Sequence, residues 1–265
     1  MRRLALYIIM LFSLTACQSE FHAYDTRIDG ARDIHARTIP LIEERTASKS
    51  EIRFVFLSDT QRWYDEFEDA VECINSLDDI DFVIHGGDMT DWGLNEEFER
   101  QRDILEKLTL PYVALIGNHD CIATGRVVYE KIFGPAHFAF TAGRFRFICS
   151  NTNALEYNDF DPVPDMDFLA RELASFPADA AHTVAVMHAA PLTEQLFGHK
   201  AFAFHEALMR FPSLQFCVNG HGHKFEVHDT FEDGMLYIQS DCIFERNFLI
   251  FTLNEDGYSY EQHYF

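Results

Sequence analysis

The sequence predicts an α/β fold, and three observations carry that expectation. Short apolar runs of strand length alternate with longer stretches of helical period. Successive runs are roughly 10 to 20 residues apart, enough for a crossover helix between parallel strands. A polar, often glycine-bearing cluster follows several of the runs directly, and open α/β sheets place their binding crevice at the carboxyl ends of strands.

The order is explicit from position 51. Residues 54–57 read as a strand, 66–77 as a helix, 82–84 as a strand, 94–108 as a helix and 113–116 as a third strand. After Gly134 come strand-like 138–140 and 145–149, helical 166–173, then strands at 184–187 and 216–218. The end is strand-rich, through 235–239 and 248–253. The helix after Leu192 carries Phe197, Phe202, Phe204, Leu208 and Phe211, which reads as a buried face.

The N-terminus has a different character. Arg2 and Arg3 precede an apolar stretch, 4–12, and then Leu14-Thr15-Ala16-Cys17. That order reads as a signal peptide over 1–16, and the stretch falls short of the ~20 residues a spanning helix needs. The segment resembles a bacterial lipoprotein signal, which implies that Cys17 receives lipid and tethers the mature chain to a membrane in the cell envelope. Residues 17–50, with Gly30, Pro40 and a closing Thr-Ala-Ser-Lys-Ser, read as tether and linker, with a possible short helix at 38–45. A single domain over 51–265 follows.

The chain has 265 residues, and its net charge of -22 repels nucleic acid and anionic surfaces, with no run of Lys and Arg to offset it. Beyond Cys17 there are five cysteines without CxxC or regular spacing, so no disulfide framework or zinc knuckle is indicated.

Five clusters carry the chemistry: Asp59-Thr60-Gln61, Gly87-Asp88-Met89-Thr90-Asp91, Gly117-Asn118-His119-Asp120, His188, and Gly220-His221-Gly222-His223. Singly, each has a plain explanation as a helix cap, a core histidine or a turn. Gly-Asn-His-Asp alone is expected by chance in on the order of 1 in 1000 chains of this length. All five, each at a strand end, point to metal chemistry. Carboxylate, amide oxygen and imidazole suit borderline divalent ions such as Mn, Fe or Zn better than calcium. Two carboxylates against two divalent ions leave a positive site that attracts phosphate. His221 and His223, two apart, share a face if the strand continues through them.

In order and content these motifs resemble the calcineurin-like metallophosphoesterase superfamily over residues 53–223. The resemblance implies a four-layer αββα sandwich of two mixed sheets flanked by helices. It implies that Asp59, Gln61, Asp88 and His223 bind one metal and that Asp88, Asn118, His188 and His221 bind the other, Asp88 bridging. It further implies attack by a metal-bridging hydroxide, with His119 protonating the departing oxygen and Asp91 orienting His119. Arg62, Arg126 and Arg246 are candidate phosphate clamps, because a planar guanidinium binds phosphate oxygens in pairs.

The first motif departs from the superfamily's usual Asp-x-His: Gln61 stands in the histidine's place. An amide oxygen is a harder, weaker donor than imidazole, so two ions with manganese favoured over Fe, Zn or Mg are expected. A superfamily branch acting on ADP-ribose and CDP-alcohols, and a branch of phosphoprotein phosphatases, resemble the chain in this. The function expected is hydrolysis of a small phosphorylated substrate, a mono- or diester or a pyrophosphate, outside the cytoplasm. The alternative is a metal-bearing surface module without catalysis, against which His119 and Asp91 argue, since a binder needs no leaving-group acid.

Overall fold

The computed structural model describes His22, residues 24–157 and residues 162–265. The expected signal peptide and Cys17 lie outside the described residues.

Two mixed sheets form the centre. The first has five strands in the order β11-β10-β1-β2-β3, with β1 (Glu51–Leu57), β2 (Phe82–His85) and β3 (Tyr112–Ala114) parallel. Strands β10 (Asn247–Asn254) and β11 (Gly257–Tyr264) join it antiparallel. The second runs β4-β5-β6-β7-β9-β8, where β4 (Phe138–Ala142) and β8 (Glu226–His228) are antiparallel edges. Between them β5 (Phe145–Ser150), β6 (His182–Met187), β7 (Leu214–Asn219) and β9 (Tyr237–Gln239) are parallel.

Strand alternation assigns each residue to a layer. Along β1, Phe54 and Phe56 face the other sheet and Val55 and Leu57 face helices, and all four are buried. The layer between the sheets is dominated by phenylalanine. Phe54 stacks on Phe82 within its sheet, centroids 5.2 Å apart, and meets Phe147 of the other sheet edge-on at 5.3 Å and 87°. Helices α2 (Tyr64–Ser76), α3 (Asn95–Leu105) and α4 (Gly125–Ile132) cover the first sheet. Helices α5 (Met166–Ala174) and α6 (Gly198–Leu208) cover the second, so the four-layer sandwich is the observed fold. Of the aromatic face expected after Leu192, Phe204, Leu208 and Phe211 are buried, whereas Phe197 and Phe202 are exposed.

The linker reading of 17–50 needs correction. Residues Ile34–Thr46 form a helix, α1, which packs against the edge strands β3 and β4 and so covers the seam between the sheets. Ile34, Thr38, Ile42 and Thr46, four apart, line its buried face. His35 accepts from the Ala114 N–H at 3.2 Å, and burial pushes its imidazole down to about 3. With Ile28 also in the core, the domain begins well before Glu51.

Candidate metal centre

The clusters follow β1, β2 and β3 of one sheet and β6 and β7 of the other, so the carboxyl ends of both sheets deliver them to one place. Ligand-capable atoms of Asp88, His188 and His221 lie within 4.8 Å of one another, and so do those of Asp59, Asp88 and His223. Asp88 belongs to both groups. The carboxamide oxygen of Asn118 joins the first, 3.1 Å from His188 Nε2 and 3.0 Å from His221 Nδ1. Gln61 adjoins the second; it is buried, and its N–H donates to the Asp88 carbonyl at 3.1 Å.

Two features of the protein alone suit divalent ions. Asp59 Oδ1 is buried and accepts no well-aligned hydrogen bond, although His223 Nε2 is 3.2 Å away. Such an acceptor is costly unless something positive reaches it. Two of the site's histidines, His188 and His223, also favour the charged form. Burial opposes the charge on His188, yet Asp88 and Asp59 outweigh it and raise the imidazole to about 9. Burial pushes Asp59 up, but His223 and His188 hold it down at about 2. His223 is raised by its contact with Asp59, while burial and the neighbouring His188 lower His221. Without metal, protons thus supply the positive charge that bound ions would displace.

Donor tautomers are set by partners outside the groups. His188 Nδ1–H donates to the Gly86 carbonyl at 2.9 Å, leaving Nε2 toward Asp88. His221 Nε2 is 2.6 Å from Glu194 Oε1, which turns Nδ1 to the site. Glu194 was invisible in the sequence because it sits in a loop without a motif.

The ligand backbones are strained. Asp59, Gln61, Asp88, His221 and His223 have φ of 57°, 34°, 55°, 72° and 56°, the left-handed region, at a cost on the order of 1 kcal/mol each. His221 and His223 therefore do not continue β7 as a regular strand; separate turns aim them at separate groups. A buried ring of hydrogen bonds holds the first two motifs in place. Gly87 N–H donates to His85 Nδ1 (3.1 Å), His85 Nε2–H to Thr60 Oγ1 (2.9 Å), Thr60 to Gln101 Oε1 (2.8 Å) and Gln101 Nε2 to the Gln61 carbonyl (2.5 Å). The Gln61 N–H closes the ring on Asp88. Burial keeps His85 neutral by pushing it to about 3, as this donor pattern requires. Asp120 binds the second and third motifs together, accepting from Met89, Thr90 and Gly117 N–H groups. Burial and the nearby Asp88 push its carboxyl up to about 7, against the pull of those donors. Glycine is required at 117, where a Cβ would stand 2.1 Å from Asp88 Oδ1.

His119 lies beside the groups, its N–H donating to Asp88 Oδ1 at 2.9 Å. Asp91 meets the His119 ring through its main chain. His119 Nδ1–H donates to the Asp91 main-chain carbonyl at 3.0 Å, while the Asp91 carboxylate pairs with Arg62 at 2.7 Å. Arg62 is thus engaged at the rim. Arg126 lies 4.4 Å over the Tyr157 ring. Arg246 pairs with Asp69 of α2 and lies over Phe265, 5.0 Å from the ring centroid.

The calcineurin-like phosphoesterase family matches residues 52–225, and the chain belongs to that family. Its candidate ligand groups and family together define a metal-dependent phosphoesterase with a binuclear site. Solved structures of similar fold include a dimetal phosphatase from Danio rerio, TM-score 0.62 at 14% identity, covering 80% of this chain and 95% of that one. A purple acid phosphatase from yellow lupin, Lupinus luteus, gives 0.59 at 15%, over 81% of this chain and 52% of that one. GAP50, the anchor in the inner membrane complex of Plasmodium, gives 0.58 at 13%, over 81% and 84%. No curated protein matches by sequence.

Proposed function

We propose that the chain is an exported dimetal phosphoesterase that hydrolyses a small phosphate mono- or diester or a pyrophosphate. The observation that carries this reading is Asp88, shared by two ligand groups and accepting a hydrogen bond from the His119 backbone N–H. Bound divalent ions supply charge for the phosphoryl oxygens and activate water for attack. Asp59, Gln61, Asp88 and His223 hold one ion; Asp88, Asn118, His188 and His221 hold the other. His119 keeps Nδ1–H on the Asp91 carbonyl, so a second proton on Nε2 makes it a cationic acid for the departing oxygen. The signal-like start and Cys17 support export and a lipid anchor in a bacterial envelope.

The test strips the purified domain and restores Mn, Mg, Fe or Zn separately against esters, diesters and pyrophosphates. Turnover that is highest with manganese is the expected result. None under any metal would favour the non-catalytic binding module.

Gln61 sets the metal preference in this reading. Gln61→His replaces a hard amide oxygen by imidazole, and zinc or iron should then be retained about tenfold or more tightly at that site. Metal content after dialysis against a chelator reads this directly. Unchanged content would sink the idea.

A further inference from the structure

A cleft of about 350 Å³ lies beside the metal centre, lined by Leu155, Tyr157, Gln195, Phe197 and Lys200 among others. Its walls are the loop after β5 and the loop after β6, and both are tied to ligand-bearing segments. Asn153 Nδ2 donates to the Ile116 carbonyl at 2.9 Å, two residues before Asn118. The Ala189 N–H, next to His188, donates to Thr152 Oγ1 at 3.1 Å. In the second wall Glu194 receives His221 Nε2, and the very next residue, Gln195, lines the cleft. The cleft thus adjoins the group of Asp88, His188 and His221 without using any of its ligands.

Its chemistry is unlike that of the metal centre. Leu155 and Phe197 are 58% and 63% exposed, two large apolar side chains left in water on opposite walls. Tyr157 presents a ring that the Arg126 guanidinium covers at 4.4 Å, a contact that stiffens it. Gln195, 4% exposed, donates to Glu156 at 3.3 Å while its Oε1 accepts no hydrogen bond from the protein. The lining also carries His199 and Lys200, but its large apolar side chains suit a flat apolar group joined to a phosphate.

We propose that this cleft holds the organic part of the substrate, and that this part is a flat apolar group of aryl or nucleobase character. The inference rests on the phosphoesterase reading for the position of the phosphate. It separates the substrate from inorganic pyrophosphate and from esters of short polar alcohols.

The test measures binding of phenylphosphonate and methylphosphonate to the manganese-loaded protein by calorimetry, and so does not depend on turnover. Burying a ring in a half-open cleft should make phenylphosphonate about tenfold tighter. Leu155→Ala combined with Phe197→Ala, both at exposed positions, should bring the two ligands level while leaving methylphosphonate affinity and metal content unchanged. Equal affinities in the unaltered protein, or a preference for the ring that survives the double substitution, would overturn the proposal. A protein that binds phenylphosphonate selectively yet turns over no ester keeps the cleft and loses the enzyme.

Discussion

Asp88→Asn should leave the folded protein unable to retain either metal ion and lower turnover by about a thousandfold or more. Asp88 is the one residue common to both ligand groups, so a neutral amide there weakens both at once. The group of Asn118, His188 and His221 would then have no carboxylate against a divalent charge. A thousandfold corresponds to about 4 kcal/mol of transition-state stabilisation, within what a bound ion supplies. The substitution should spare the fold. Asn can still accept the His119 N–H, now made to Asp88 Oδ1, and Asp120 loses the like charge that raises it. Thermal unfolding separates these effects: manganese at 100 times its Kd should stabilise the unaltered protein by about 2.7 kcal/mol and the variant hardly at all. A variant that retains two metals after dialysis would remove Asp88 from the bridging role.

The parts legible in the sequence were those where one short segment carries both a strand and its ligands. An apolar run ending in Asp59, Asp88, Asn118 or His188 declares its fold position and its chemistry together. What was not legible depends on contacts between distant segments. Helix α1 was legible only as a possible short helix at 38–45, its start obscured by Gly30 and its middle by Pro40, although Ile34, Thr38, Ile42 and Thr46 repeat every four residues and bury one face. Helix α4 is short and starts at Gly125, which reads as a turn. Strand β11 is an outer strand whose residues are all exposed or intermediate, so it lacks an apolar run. Gln101 and Glu194 meet the site only through folding, one from helix α3 and one from a loop, and neither has a motif to mark it. Spacing brought Asp91 to His119 correctly but could not say which atom would make the contact. The carbonyl makes it, because the carboxylate is held by Arg62.

That last distinction shapes the second large effect. His119→Ala should lower kcat by about 10²- to 10⁴-fold, the usual range for losing a positioned acid, with both metals retained. The deficit should depend on the ester. An alkyl phosphate expels a basic alkoxide that needs a proton, whereas p-nitrophenyl phosphate expels a stable phenolate, so the variant should recover much of its activity on the latter. Asp91→Asn should cost far less, since its main-chain carbonyl stays where it is and only the pair with the exposed Arg62 is lost, a contact of about 1 kcal/mol or less. If the two substitutions cost the same on the alkyl ester, the carboxylate of Asp91 matters more than its carbonyl. If His119→Ala is equally slow on both esters, the side chain does not donate the proton and serves only to stabilise charge, since the backbone N–H that meets Asp88 is kept in the variant.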